Sequence, residues 1–252
     1  MKKLFLLILL GLLVAGCSGK KDPYASYRTK TAAEIYHGAH TALVKKHYAD
    51  AVDGFEALDA IYPFGPYAQR AQLQIIYAYY KNGDLPSAVT AADRYVRLYP
   101  RGKHIDYAYY MRGVISQSQD YSWMQRKIGV DPAWRDLTSP KHAFLSFSEL
   151  VNMYPNSKYT PDALLRMRYL RNVIAEHSLE IANYYYNQKA YVAAANRASY
   201  IVEHFSGTLA TPDALALMVK SYRHLHLNKL AHSSYLILQA SYPHSKAFSK
   251  LA

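Results

Sequence analysis

AVDGFEALDAIYPFGPYAQRA, residues 51–71, holds two kinds of text in one stretch. In its first half Ala51, Phe55 and Leu58 are spaced four and three residues apart, so they share one face of a helix. Its second half packs Pro63, Gly65 and Pro66 among Tyr62, Phe64 and Tyr67. Each proline fixes φ and removes a backbone donor, so neither a helix interior nor a central strand runs through 62–66. Helical text flanks the run on both sides. The stretch therefore reads as the end of one helix, a turn, and the start of another.

The same ending recurs along the chain. Tyr-Pro stands at 62–63, 99–100, 154–155 and 242–243, and Phe-Ser at 205–206 fills the same role. Eleven residues before each aromatic is an alanine: Ala51, Ala88, Ala143, Ala194 and Ala231. Seven before lie Phe55, Ala92, Phe147, Ala198 and Tyr235, and four before lie Leu58, Tyr95, Leu150, Ile201 and Leu238. Nine residues after the first four aromatics come Ala71, Ala108, Ala163 and Ala214. These offsets draw one stripe on a helix face, and alanine at a fixed place lets two helices approach closely. The first two copies are 37 residues apart, as are the last two. Self-similarity at such a period marks a repeat array. The pattern resembles the second helix of a tetratricopeptide repeat, with a period slightly above its usual ~34.

Helix-start signals agree with this division. Thr31 with Glu34 reads as a capping box. Ser139-Pro140, Thr160-Pro161 and Thr211-Pro212 each suggest a hydroxyl at the N-cap with proline at the first helical position. Asn82-Gly83-Asp84 breaks between two helices, with Asp84 as the cap. The expected fold is all-α: a tetratricopeptide-like helical repeat solenoid of five helix pairs, about ten helices. Two gaps depart from 37. The gap from 99 to 154 is 18 residues longer, within the insert 119–139 that holds both tryptophans. The gap from 154 to 205 is 14 residues longer, and 160–188 contains no Gly and only Pro161, which predicts one helix ~21 Å longer than usual at ~1.5 Å per residue. Both excesses are open to a binding role or to extra packing.

The N-terminus reads separately. Lys2 and Lys3 precede the apolar run Leu4–Ala15, and small residues lead into Cys17. That is the pattern of a secretory signal, shorter than the ~20 residues that span a bilayer, with a single-span anchor as the alternative. Cys17 is the single cysteine, and Val-Ala-Gly-Cys at 14–17 resembles a bacterial lipobox. The resemblance implies cleavage before Cys17, an N-acyl diacylglycerol lipid on it and stable membrane anchoring. Ser18 in place of Asp resembles an outer-membrane address. With that cysteine lipidated, no disulfide supports the fold. The net charge is +12, or +10 without Lys2 and Lys3, and no run of five Lys or Arg occurs. After an export signal, anionic lipid or acidic protein are better partners for this charge than nucleic acid.

Catalytic signatures are missing: no GxSxG, HExxH, Walker loop or GxGxxG occurs, and carboxylates are scattered. The chain reads as a binding protein, not an enzyme. His37 and His40 are three apart on one helix without an acidic or cysteine partner, so the eleven histidines are read as surface residues rather than metal ligands. Tyrosine is abundant, with 26 copies. Tyr77, Tyr79 and Tyr80 in one copy are matched by a second Tyr-Ala-Tyr-Tyr run, with Tyr107, Tyr109 and Tyr110, in the next. Most of them suit helix packing, yet tyrosine also suits wet grooves, and repeat arrays bind extended peptides.

YPFGPYAQRAQLQIIYAYYKNGDLPSA at 62–88, IDYAYYMRG at 105–113, GVD at 129–131, YPNSKYTPDA at 154–163 and NRA at 196–198 together resemble the BamD family of outer-membrane assembly lipoproteins, also described as competence lipoproteins. The likeness runs from about Ala33 to Tyr242. It implies a lipid-anchored scaffold on the periplasmic face of the outer membrane, partnering the POTRA domain of BamA, other Bam lipoproteins and unfolded β-barrel proteins. On that reading 1–16 is the signal peptide and 17–30 a lipidated tether. Residues 31–159, the first three repeats, form a groove for the C-terminal signal of barrel substrates, and 160–252 dock on BamA. Tyr62, Phe64, Gly65, Pro66, Tyr67, Tyr77 and Tyr80 are the candidate peptide-binding residues. Arg197, in the matching Asn-Arg pair, is the candidate docking contact, an exposed helix arginine being the plain alternative. A lipidated repeat scaffold for cell-wall or division proteins is the competing function. The 119–139 insert carries little of the likeness.

Overall fold

The computed structural model describes residues 22–119 and 137–251. The expected signal peptide, Cys17 and most of the 119–139 insert lie outside the described residues. Those residues form eleven α-helices, one 3-10 turn at Ala25–Tyr27 and no strand. In order they are α1 Ala32–Val44, α2 Tyr48–Ile61, α3 Pro66–Asn82, α4 Leu85–Leu98, α5 Ile105–Gln119 and α6 Thr138–Met153, then α7 Thr160–Asn187, α8 Tyr191–His204, α9 Thr211–His224, α10 Asn228–Ser241 and the single turn α11 Lys246–Ser249. The first ten make five consecutive pairs, as the repeat spacing predicts.

Each second helix ends on its predicted aromatic. Tyr62, Tyr99, Tyr154, Phe205 and Tyr242 are the C-caps of α2, α4, α6, α8 and α10, and each N–H donates to the carbonyl four residues back. Proline disfavours helical angles in the residue before it. The four tyrosines that precede proline have ψ between 50° and 69°, whereas Phe205, which precedes Ser206, has ψ 29°. The alanine stripe faces inward in every copy: Ala51, Ala88, Ala143 and Ala194 are fully buried, as are Leu58, Leu150, Ile201 and Leu238.

The turns inside the pairs share a second device. Lys46, Gly83, Lys189 and His226 have positive φ, and the next residue's N–H reaches back to the carbonyl of Ala42, Tyr79, Tyr185 and Tyr222 respectively. This is the helix-ending geometry that usually takes glycine. Only Gly83 signals it in the sequence.

Two start signals hold and three are displaced. Thr31 and Glu34 form the capping box, and Asp84 caps α4 by accepting from the Ser87 N–H. Thr160 and Thr211 are not N-caps. They are the first helical residues, and their hydroxyls donate to the Tyr154 and Phe205 carbonyls, six residues back. The carbonyls at a helix end lack intrahelical partners, and here they hold the hydroxyls the next helix would have used. Ser139 likewise sits inside α6, and Pro140 falls in its first turn, where amide donors are unbonded anyway.

The described residues fall into two compact units divided between Ala78 and Tyr79, inside α3. In the first, α1 packs on α2 so closely that a Cβ on Gly54 would lie 2.8 Å from the Ala39 Cβ. The Tyr24 hydroxyl donates to Glu56 and the Tyr62 hydroxyl to the Lys30 carbonyl, pinning the entering chain. In the second, α4 packs on α5, and α5 through α10 pack each on the next within the chain described. The long helix α7 serves two cores. Its first half places Ala163 and Leu170 with Val114, Ala143, Phe147 and Leu150, and its second half places Ala175 and Ala182 with Ala198, Ile201 and Ala214. The 28 residues of α7 are 14 more than those of α8 or α9, close to four turns at ~3.6 residues each, so the same face returns to the interior. Mid-helix, Asn172 accepts from the Leu209 N–H at 2.9 Å, and Arg171 reaches the His204 and Ser206 carbonyls.

Candidate functional site

In the first unit the turn between α2 and α3 presents an exposed aromatic on a special backbone. Gly65 has φ +101°, a conformation side-chain-bearing residues rarely adopt. Phe64 beside it is 90% exposed. Pro66 opens α3, where the lost N–H costs nothing. Tyr67, one residue on, turns inward and is half-buried, its ring 5.4 Å from Tyr36 and 6.1 Å from His37.

Behind Tyr67 lies a polar-aromatic cluster that the sequence reading did not assemble. Tyr36 stacks on His40 with ring centroids 5.9 Å apart, and Phe55 stands 6.3 Å away. Gln74 on α3 donates to the Tyr36 hydroxyl at 3.0 Å, and its Oε1 faces His40 Nδ1 at 3.0 Å. His40 is therefore a half-buried packing partner, not a surface histidine. Tyr67, Gln74 and Tyr77 follow one face of α3 by their spacing, and Tyr77 is exposed. Tyr36 meets Phe55 and Tyr67 as Tyr110 meets Phe147 and Tyr159 two repeats on, a correspondence that the sequence reading did not draw. Among the described residues, no group of three or more His, Cys, Asp or Glu side chains could hold a metal ion.

The second unit holds Tyr80 apart from these residues. It packs with Tyr109, Tyr110, Tyr154 and Tyr159 against the Phe147 core, and its hydroxyl stands 3.5 Å from the Ser118 hydroxyl. Tyr110 stacks on Tyr159 at 4.8 Å and donates to Asp162 at 2.7 Å. Arg166 donates through Nε to the same Asp162 oxygen at 2.6 Å and through Nη1 to the Gln117 Oε1 at 2.9 Å. Burial raises the Tyr110 hydroxyl pKa, and the bond to Asp162 adds to this. Burial works against the Asp162 charge, but the bonds from Arg166 and Tyr110 hold its carboxyl below the ordinary value. Arg112 joins α4, α5 and α6 through Asp93, Glu149 and Ser146.

Arg197 is half-buried on α8. Near it on α7, His177 has a buried Nδ1 without a hydrogen-bond partner among the described residues. Burial lowers the His177 pKa, and the charges of Lys141 and Arg197 lower it further. The candidate peptide residues thus divide: Tyr62, Phe64, Gly65, Pro66, Tyr67 and Tyr77 lie in one unit, and Tyr80 in the unit that also carries Arg197.

A family model described as outer membrane lipoprotein, YfiO, matches residues 28–236. The protein named outer membrane protein assembly factor BamD from Xylella fastidiosa strain 9a5c is 36% identical over 209 residues, covering 83% of this chain and 72% of the relative. Proteins of the same name are similar in Vibrio cholerae, 36% identical over 215 residues with 85% and 88% covered, and in Neisseria meningitidis serogroup B, 34% identical over 248 residues with 97% and 93% covered. Among solved structures the TPR2AB-domain:pHSP90 complex of yeast Sti1 is 10% identical over 86% of this chain and 80% of that one, with a TM-score of 0.44, too low to argue from. The family match across all five helix pairs and the identity to these relatives show that the chain belongs to the BamD (YfiO) family of outer-membrane assembly lipoproteins.

Proposed function

We propose that the chain is a lipid-anchored periplasmic scaffold of the β-barrel assembly machinery. It is held to the outer membrane by acylated Cys17, binds the C-terminal signals of unfolded outer-membrane proteins, and docks on a BamA POTRA domain through repeats four and five, with Arg197 as a contact. It works by binding, not by catalysis. The observation that carries the reading is Phe64: a large apolar ring 90% exposed on a glycine turn, beside the Tyr67–Tyr36–His37 aromatic face. An exposed ring that packs on nothing gains by covering itself with a partner, by ~25 cal/mol per Å² of apolar surface removed from water. Tyrosine and histidine tips on that face suit the mixed backbone and aromatic chemistry of an extended barrel tail. The net charge, +10 without Lys2 and Lys3, favours a tail that ends in a carboxylate.

The test uses the full-length chain in detergent and a fluorescent peptide copying the last strand of a barrel protein. Binding should weaken roughly tenfold when Phe64 becomes Ala, the order of a buried aromatic anchor. Equal affinity for a scrambled peptide would sink the reading. A pull-down of the native complex should recover a large β-barrel with POTRA domains, and recovering cell-wall enzymes instead would favour the other scaffold function.

A further inference from the structure

We propose that the free face of α10 lies on the anionic headgroup surface of the membrane that anchors the chain, with its aliphatic side chains among the lipids. The inference goes beyond the peptide and POTRA contacts proposed above, and it rests on the lipid anchor only for bringing this face near lipid. α10 packs on α9 and buries Ala231, Ser234 and Leu238. Away from that side, Leu230, Ser233, Ile237 and Ala240 follow at three, four and three residues, so they form one exposed strip along the helix. Leu236 runs beside the strip and Leu227 stands at its start. These two, Leu230 and Ile237 are each between 45% and 49% exposed. The repeat does not impose this surface. Counted back from the closing aromatic, Ile237 stands where α4 and α6 carry Arg94 and Glu149, and Leu230 where α2 and α6 carry Asp50 and His142. Contiguous exposed apolar side chains of this kind mark a protein or a membrane contact.

The charge around the strip has one sign. After Asp213 the sequence contains no Asp or Glu, but five Lys and Arg and four His. Lys229 and His232 are exposed on α10 itself, and Arg223 and His226 are exposed where α9 turns into it. Aliphatic residues on the free side of a helix, with only cations beside them, are the make-up of a helix that lies in a membrane surface. A lysine stem can follow the strip while its ammonium reaches the lipid phosphates. Two observations favour lipid over an acidic protein. The strip holds no Trp, Tyr or Arg, the side chains that anchor protein interfaces. The family is one of outer-membrane lipoproteins, so a lipid surface is a neighbour that such a chain meets.

The experiment puts the full-length chain into vesicles of phosphatidylcholine with or without phosphatidylglycerol. Cys17 is the single cysteine, so Ser233→Cys adds one further thiol for a fluorophore once Cys17 is acylated. Asn152→Cys on α6, exposed on the same helix face as Glu149, is the control. Lipid carrying a nitroxide just below the headgroup should quench the Ser233 label in anionic vesicles and leave the Asn152 label bright. Without phosphatidylglycerol, or at high salt, the quenching should fall. Each Lys or Arg near such a surface contributes roughly fivefold to partition, so Arg223→Gln with Lys229→Gln should shift the docking equilibrium by roughly 25-fold. Leu230→Ser with Ile237→Ser should weaken quenching at an unchanged circular dichroism spectrum. If Ser233→Cys fails to fold, the exposed Ala240→Cys carries the label. Equal quenching of the two labels, or of the Ser233 label in the two vesicle types, overturns the inference. A Ser233 label that stays bright while the chain floats with anionic vesicles also overturns it and leaves the anchor standing. A chain that floats with neither vesicle type overturns the anchor as well. A Ser233 label that responds only to added protein of the assembly machinery makes the face a protein contact and overturns the inference.

Discussion

Replacing Gly113 by alanine would place a methyl group 2.5 Å from Phe147 Cε1 and 2.7 Å from Cδ1 and Cζ. Gly113 lies inside α5, where alanine is otherwise favoured by ~1 kcal/mol. Carbon atoms pack at ~3.5–4.0 Å, so the ring and α5 must part by about 1 Å. Phe147 is fully buried among Val114, Leu150 and Leu170 and has no open side to swing into. Overpacking of a core costs ~1–3 kcal/mol, and a rigid ring met at three atoms belongs at the upper end. Subtracting the helix gain leaves a loss of about 2 kcal/mol. For a unit of this size, each kcal/mol moves the thermal midpoint by ~2–4 °C, so the expected fall is about 4–8 °C. Gly38 is the control: it lies in α1, and its added Cβ meets nothing within 4 Å. Gly38→Ala should raise the midpoint of its own unit by a few degrees. Far-UV circular dichroism melts of the two variants give the comparison, and adding Phe147→Leu to Gly113→Ala should restore part of the loss. If both alanine variants shift the midpoint upward alike, the close approach of α5 and α6 is wrong.

Two further outcomes follow from the candidate site and its surroundings. Phe64→Ala should leave the melting curve within experimental error, because the ring is almost wholly exposed, whereas Tyr67→Ala should cost ~1–3 kcal/mol through its contacts with Tyr36 and His37. Equal losses in both melts would make the turn a packing wedge. His177 provides the pH test. The fold favours its neutral form, so its folded pKa lies below the ordinary 6.5 and the unfolded chain takes up the proton first. Its share of stability is therefore full above about 6.5 and declines as the pH falls through that value toward the folded pKa. His177→Phe should flatten this acid-side decline in denaturation midpoints. An unchanged pH profile would show that Lys141, Arg197 and burial do not act on the ring as described.

The order and ends of the helices were legible in the sequence because they rest on local rules. A residue before proline leaves the helical region whatever surrounds it, and apolar offsets of four and three residues define a face in any context. That is why the aromatic endings, the buried Ala51, Ala88, Ala143 and Ala194, and the full length of α7 could be read in advance. The turns at Lys46, Lys189 and His226 could not, because an ordinary side chain in a left-handed turn leaves no signature. Nor could the places of Thr160 and Thr211, whose hydroxyls are taken by carbonyls of the preceding helix.

The candidate site divides along the same line. The sequence by itself determined that Phe64-Gly65-Pro66 is a turn, and that no helix buries Phe64 there, since proline and glycine forbid the alternatives. Only the tertiary structure decided that Tyr67 faces Tyr36, that Gln74 joins Tyr36 to His40, and that Arg166 is held between Asp162 and Gln117. Those partners are 31 residues or more apart in the first unit, and up to 49 in the second. Periodicity reports which face of a helix is buried, but which polar group meets which depends on how two helices cross, and that is settled by the summed packing of both.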